Sequence, residues 1–255
     1  MNLKSRFLKS RFLKTMNNKN EKFWAIIPAA GIGRRMQLTA NEDAPKQYQQ
    51  ILGKTILEHT LERIDQLDFL AGITVVLNEK DMWWDTLNIN LSNPLVTTIG
   101  GTERFDSVLN GLQVIASQAK EMDWVLVHDA VRPCVSLEDI RLLVKTLCAS
   151  ETGGLLVTPV TGTLKKLSEG CKVEKSVPRE DYRLAATPQM FRYGALCSAL
   201  EKAQSDNIAI TDEANAMENA GHTIECVQGR ADNIKITHKE DLLLAEFFLN
   251  RPRHD

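Results

Sequence analysis

The chain has 255 residues, 43% of them apolar and 25% charged, and a formal net charge of −2. That length buries a sizeable core, while the charge balance excludes a broadly basic nucleic-acid binder, so any anion site has to be local. The five cysteines (Cys134, Cys148, Cys171, Cys197 and Cys226) form no C-x-x-C pair, and no apolar run reaches the length of a membrane span; reduced thiols in a cytoplasmic protein are expected.

In chain order, the N-terminus comes first. "LKSRFLKSRFLKT" (residues 3–15) repeats K-S-R-F-L in tandem and holds no acid. It lacks the apolar region of a secretory signal. Residues 1–20 are read as a basic, disordered extension, with Met16 as an alternative start and a basic targeting or membrane-surface role as the competing reading. Residues 21–255 are read as one domain.

Within that domain short β-type runs alternate with helical segments. The runs are "WAIIPA", "GITVVLN", "LVTTIG", "WVLVH" and "GLLVTPV". Thr55 and Glu58 form a T-x-x-E capping box before "ILEHTLERIDQL". Ser136 opens "LEDIRLLVKTLCAS" in the same manner, and Thr237 with Glu240 repeats the signal before "DLLLAEFFL". Apolar strands alternating with helices predict an open, doubly wound α/β sheet, mostly parallel, covered on both faces. The alternation stops after Pro159. The polar stretch "TGTLKKLSEGCKVEKSVPRE", with S-E-G-C as its turn, predicts a β-hairpin over about 160–180, either a solvated surface feature or a dimerisation arm.

Ligands of open α/β sheets bind beyond the carboxyl ends of the strands, so the segments following strands carry the chemistry. The first is "PAAGIGRRM". It is not a P-loop, and Met36 spoils a dinucleotide fingerprint, but Gly31 and Gly33 let backbone N–H groups approach a phosphate. Arg34, Arg35 and, in "PKQY", Lys46 supply cations to clamp it. In "GGTERFDSVLNGL" two glycines permit a tight turn into a helix. Phe105, Val108, Leu109 and Leu112 have core spacing, while Ser107, with Arg104 near it, is placed to meet a base or ribose. In "WVLVHDAVRPC" Asp129 stands where a strand emerges. It is read as a ligand for a divalent cation over nucleotide phosphates, or as a turn carboxylate paired with Arg132. Thr211, Asp212 and Glu213 read as an ordinary helix start, and Arg230, Asp232 and Lys235 cluster in "GRADNIKIT".

Taken together, "PAAGIGRRM", "PKQY", "GGTERFDSVLNGL", "VHDAVRPC", "TPQMF", "ITDEANAME" and "GRADNIKIT" resemble the 2-C-methyl-D-erythritol 4-phosphate cytidylyltransferases of the non-mevalonate isoprenoid pathway, from about Phe23 to Phe248. The resemblance implies an enzyme that moves CMP from CTP to a small polyol phosphate with Mg²⁺ or another hard divalent cation. It also implies a homodimer with a swapped β-arm. By residue, it implies catalytic roles for Arg35 and Lys46, a nucleotide pocket of Ala29, Ala30, Gly31, Gly33, Gly101 and Ser107, and Asp129 as metal ligand. Arg132, Thr163, Arg179 and Lys235 would position the acceptor. Two features depart from the family pattern: a longer stretch between Met36 and Pro45, and Thr102 where an acid often follows the two glycines. Three rivals remain at this point: a ribitol 5-phosphate cytidylyltransferase, sharing "PKQ" and H-D-x-x-R-P; a nucleotide-binding module without turnover; and an oxidoreductase, which Met36 disfavours.

Overall fold

The computed structural model describes residues 21–31 and 44–251. Its centre is β1 (Phe23–Pro28), whose side chains alternate between two cores. Phe23, Ala25 and Ile27 point to one, Trp24 and Ile26 to the other. That alternation, with every position apolar, is what a strand covered on both faces requires. On one side β1 pairs in parallel with β4 (Leu70–Leu77), which pairs with β5 (Leu95–Ile99); on the other it pairs in parallel with β6 (Trp124–Val127).

The first core receives α1 (Ile56–Asp65) and α3 (Leu137–Leu147); the second receives α2 (Arg104–Ile115), α4 (Tyr193–Ser205) and α5 (Glu213–Asn219). Thr55 caps α1 through a complete capping box with Glu58, and the Ser136 hydroxyl accepts the Asp139 N–H at the start of α3, as expected. The third cap is different. The helix α6 (Glu240–Asn250) is preceded by Lys239, and it is Asp241, not Glu240, whose carboxylate receives the Thr237 hydroxyl and N–H.

The sheet order is β5-β4-β1-β6-β10-β7-β11, with β7 (Gly153–Pro159), β10 (Arg183–Arg192) and β11 (Glu225–Gln228) completing it. The doubly wound, mostly parallel class holds. Simple chain-order alternation does not: β7 is displaced from β6 by β10, which is antiparallel to both neighbours. The second half of β10 is buried although its sequence, with Thr187, Pro188 and Gln189, hides a strand from period-based reading. Between β4 and β5 the connection carries only a single 3₁₀ turn, Trp84–Thr86.

The hairpin over 160–180 exists. β8 (Leu164–Leu167) pairs antiparallel with β9 (Val173–Val177) as a separate two-stranded ribbon, and the turn places Gly170 at φ 74°. Leu167 and Val173 lie exposed on it, an unusual setting for apolar residues on a lone ribbon. Finally, β2 (Gln50–Ile51) and β3 (Lys54–Thr55) form a small ribbon over α6, closing a third cluster with Ile56, Val131, Cys134, Ile236 and Ala245.

Candidate active site

Strand order reverses at β1, with β4 to one side and β6 to the other, and a cavity of about 190 Å³ opens there at the strands' carboxyl ends. Ala29, Ala30 and Gly31 form one wall, where β1 ends. Two side-chain amides fix that turn from behind. Gln47 Nε2 donates to the Ala29 carbonyl (2.7 Å), and Asn78 Nδ2 donates to that of Ala30 (3.1 Å). Gln47 belongs to the 3₁₀ turn Lys46–Tyr48, so the same hydrogen bond ties Lys46, which also lines the cavity, to the glycine turn.

The opposite wall is the turn into α2. Gly100 and Gly101 are required there for a physical reason. A Cβ on Gly100 would stand 2.6 Å from both Ala30 Cβ and Ser107 Oγ, and one on Gly101 would stand 2.3 Å from Asp106 Cβ. Ser107 lines the cavity, but its hydroxyl is already engaged: it accepts from Gly101 N–H and donates to the Glu103 carbonyl, both at 3.2 Å. It shapes the turn from within.

The floor is Asp129, directly after β6, 6% exposed and wrapped by three cations. Arg104 Nη2 reaches Oδ1 at 3.0 Å; Arg132 Nε and Lys235 Nζ reach Oδ2 at 3.3 and 2.9 Å. Burial alone would raise this carboxyl, but Arg104, Lys235 and Arg132 hold it well below the usual carboxylate range. Of the two readings that competed in the sequence, the pairing with Arg132 is present. Arg132 is itself oriented by the Asn233 carbonyl (2.8 Å).

Backbone placement of Asp129 comes from β10. Thr187 Oγ1 accepts the Asp129 N–H (3.1 Å), so its proton points to His128 Nδ1 (3.0 Å), which leaves the His128 Nε2 proton for the Arg132 carbonyl (3.1 Å). Burial lowers His128 to about 4, consistent with that neutral tautomer.

Ala29, Ala30, Gly31, Lys46, Gly101, Ser107, Asp129 and Lys235 thus line one cavity, and Arg132 joins them through Asp129. Thr163 and Arg179 do not. Thr163 is exposed just before β8, and Arg179 donates to the Thr161 carbonyl at the base of the arm (2.5 Å). Gly33, Arg34 and Arg35 lie outside the described residues, as does most of the long 37–44 stretch. Arg230 and Asp232 pair with each other on the surface (2.5 Å), while Lys235 from the same segment turns inward. Sequence reasoning missed Gln47, Asn78, Thr187 and Asn233, because each acts through backbone carbonyls and N–H groups brought together by the fold. It also passed over Glu213, whose apparent role as a helix-start acid masked a fully buried side chain paired with Arg104.

A cavity at the switch point of a doubly wound sheet, with a glycine turn on one wall and cations converging on a carboxylate at its floor, has the arrangement of a class: the nucleotidyltransferases. Comparison with known proteins gives the family. The profile of 2-C-methyl-D-erythritol 4-phosphate cytidylyltransferase matches residues 23–251. Proteins of that name from Vibrio parahaemolyticus and Hahella chejuensis are 47% and 43% identical over 229 and 233 residues, covering 90% and 91% of this chain and 96% and 95% of theirs. Among solved structures, the Francisella tularensis and Thermus thermophilus cytidylyltransferases of that name superpose with TM-scores of 0.76 and 0.73 at 37% and 31% identity. They cover 89% and 90% of this chain and 100% of each of those chains. The chain belongs to the 2-C-methyl-D-erythritol 4-phosphate cytidylyltransferase family.

Proposed function

We infer that the enzyme transfers CMP from CTP to 2-C-methyl-D-erythritol 4-phosphate and releases pyrophosphate. The observation that carries this is the cavity, which the Ala29–Gly31 turn lines together with the cations Lys46, Arg104 and Lys235. A phosphate oxygen of the acceptor attacks the α-phosphorus of CTP in line. The new P–O bond forms as the bond from the α-phosphorus to the α–β bridging oxygen breaks, and that electron pair leaves with pyrophosphate. Charge grows on the bridging and equatorial oxygens, so the protein's task is positioning and positive charge. Lys46 and Arg35 are assigned this task; the hydrogen bond from Gln47, the neighbour of Lys46, to the glycine turn supports the assignment of Lys46.

The residues fit a hard divalent cation. Asp129 is ionised, and one protein carboxylate is the usual donor set when phosphates supply the remaining ligands; Glu103, the other carboxylate lining the cavity, caps the start of α2. Its Oδ1 takes one cationic contact where Oδ2 takes two, which leaves Oδ1 the better placed to bind. Mg²⁺ held there would neutralise triphosphate oxygens. Lys235 and Arg132, the two on Oδ2, are then placed to turn toward the acceptor phosphate.

A homodimer is part of the same proposal. The protruding ribbon carries Thr163 and Arg179 away from its own cavity and exposes Leu167 and Val173, which supports an arm that completes a partner's acceptor site. A cytoplasmic setting rests on five unpaired cysteines. No helix among the described residues is long and apolar enough to cross a membrane.

The test is a pyrophosphate-release assay crossing CTP, UTP and ATP with methylerythritol phosphate and ribitol 5-phosphate, with and without Mg²⁺. Fastest turnover of CTP with methylerythritol phosphate, dependent on the cation, is expected. A higher kcat/KM for ribitol 5-phosphate would overturn the acceptor.

A further inference from the structure

Arg104 sits at the first turn of α2 and faces the cavity, yet it is gripped from two directions. One arm of its guanidinium reaches Asp129, and the other pairs with Glu213, whose side chain is wholly buried. Glu213 is in turn held with unusual care. Asp212 caps α5 by accepting the Asn215 N–H (2.9 Å). Gln189 of β10 then bridges that cap from both sides: its Nε2 donates to Asp212 Oδ2 (3.0 Å), and its Oε1 accepts the Ala214 N–H (2.8 Å). The residue between these two contacts is Glu213. Its second oxygen, Oε2, is buried and finds no hydrogen-bond partner among the described residues.

A buried carboxylate with one unsatisfied oxygen is a costly feature that a helix start does not need, since Asp212 already does the capping. The cost makes sense if the ion pair has a task. In the free enzyme Arg104 has two anchors. Once Asp129 turns to the nucleotide's cation, one of them is shared or lost, and only Glu213 remains to keep Arg104 from following Asp129 or swinging into solvent.

We propose that Glu213 is a positioning residue for nucleotide binding: it holds Arg104 against the cavity wall through the catalytic cycle, and the Asp212–Gln189 clamp holds Glu213. This rests on the cytidylyltransferase reading and assigns a role to the "TDEA" segment. A Lys in place of Arg104 could meet one carboxylate but not span both, because an ammonium is a single point of charge where the guanidinium is a fork.

The experiment compares E213Q, R104K and the double variant in the full-length enzyme. Thermal midpoints are measured alongside kcat and KM for CTP and for the acceptor. E213Q keeps the shape and removes the charge; kcat/KM for CTP should fall about tenfold or more, the usual scale for losing an orienting partner, while KM for the acceptor changes by less than about twofold. R104K should lose at least as much. Because Glu213 acts through Arg104, the double variant should be no worse than R104K within about twofold. If E213Q does not fold, E213D takes its place, since it keeps the charge but draws it back from Arg104, and the same pattern is expected. Unchanged kcat/KM for CTP in a less stable E213Q would reduce the pair to a structural brace and overturn the proposal. Multiplied losses in the double variant, or equal damage to both substrates, would overturn it too. If the wild type binds CTP without turnover, the functional reading fails separately, and the same variants compared by CTP affinity still decide the role of Glu213.

Discussion

Replacing Asp129 with asparagine should damage stability and activity together, and the structure says by how much. The amide matches the carboxylate in shape, and its oxygen can still accept from Arg104. Its nitrogen then faces Arg132 and Lys235, donor against donor, and three cations lose their shared counter-charge. Breaking a buried ion pair by removing one partner costs about 3–5 kcal/mol. Arg104 and Lys235 side chains are 30% and 37% exposed, so water relieves part of the repulsion and the lower end applies. About 3 kcal/mol in a domain of this size lowers the midpoint by about 6–12 °C. Pyrophosphate, added without metal, should restore more of this loss in D129N than it adds to the wild type, because it replaces the missing negative charge. Turnover should nonetheless fall steeply, since the cation loses its protein ligand. The pH dependence has a definite sign. The Asp129 carboxyl is held below its unfolded value, so its contribution is present above about pH 4 and fades as pH falls further; the wild-type advantage over D129N should shrink in that acid range. His128, lowered by burial to about 4 although the Asp129 charge partly offsets this, weakens both proteins as pH drops below about 6.5, and D129N the more because it lacks that charge. Melting curves at several pH values and steady-state rates check all of this. A D129N enzyme with wild-type stability would refute the account of the cation cluster, and one with near wild-type rate would refute the metal assignment.

Lys46→Ala should lower kcat by about 10²-fold or more, the scale for losing a preorganised charge at a transition state, and Arg35→Ala should do the same while Arg34→Ala matters less; steady-state assays read the ranking, and its reversal would shift the register through "GRRM". For the arm, Lys46→Ala and Thr163→Arg chains, each nearly inactive, should regain about a quarter of wild-type activity when unfolded, mixed and refolded, because half the dimers are mixed and one site in each escapes both defects. Refolded dimers that stay inactive would reject the swapped site. Burial pushes the Cys148 and Cys197 thiols up to about 11, so alkylation at pH 8 followed by mass spectrometry should modify exposed Cys226 well before either; equal rates would contradict the packing around them.

Much of the fold was legible because its signals are local. The β1, β4, β5, β6 and β7 runs are rich in apolar and β-branched residues, and the caps at Thr55 and Ser136 need only a hydroxyl and the N–H three residues on. β10 was not legible, because a buried strand with Thr187, Pro188 and Gln189 carries no period, and its polar groups are satisfied by distant partners such as the Asp129 N–H and the Ala214 N–H. The candidate site divides the same way. Gly31, Lys46 and Asp129 announced themselves by type and by position after strands. Gln47, Asn78 and Glu213 did not, since an amide or acid that serves the backbone or another side chain looks on paper like any surface residue.

That division has a physical consequence for the site itself. The groups readable from sequence are those that would touch substrate, and they come from β1, the 3₁₀ turn at Lys46, β6 and the segment at Lys235. Left alone, each would be a charge at the end of a loop, with several conformations to choose from. The unreadable groups remove that freedom. Gln47 joins Lys46 to the glycine turn; Thr187 joins Asp129 to β10; Asn233 joins Arg132 to β10 through its amide on the Thr187 carbonyl (2.8 Å). Gln189, two residues further along β10, clamps the start of α5 and so places Glu213 against Arg104. One antiparallel strand therefore fixes three charges at the site: Asp129, Arg132 and, through Glu213, Arg104. Catalysis by preorganised charge requires such fixing before substrate arrives, because charges that must reorganise during the reaction lose much of their effect. The inserted strand that breaks the regular alternation of the fold is thus the element on which the charged half of the site is built.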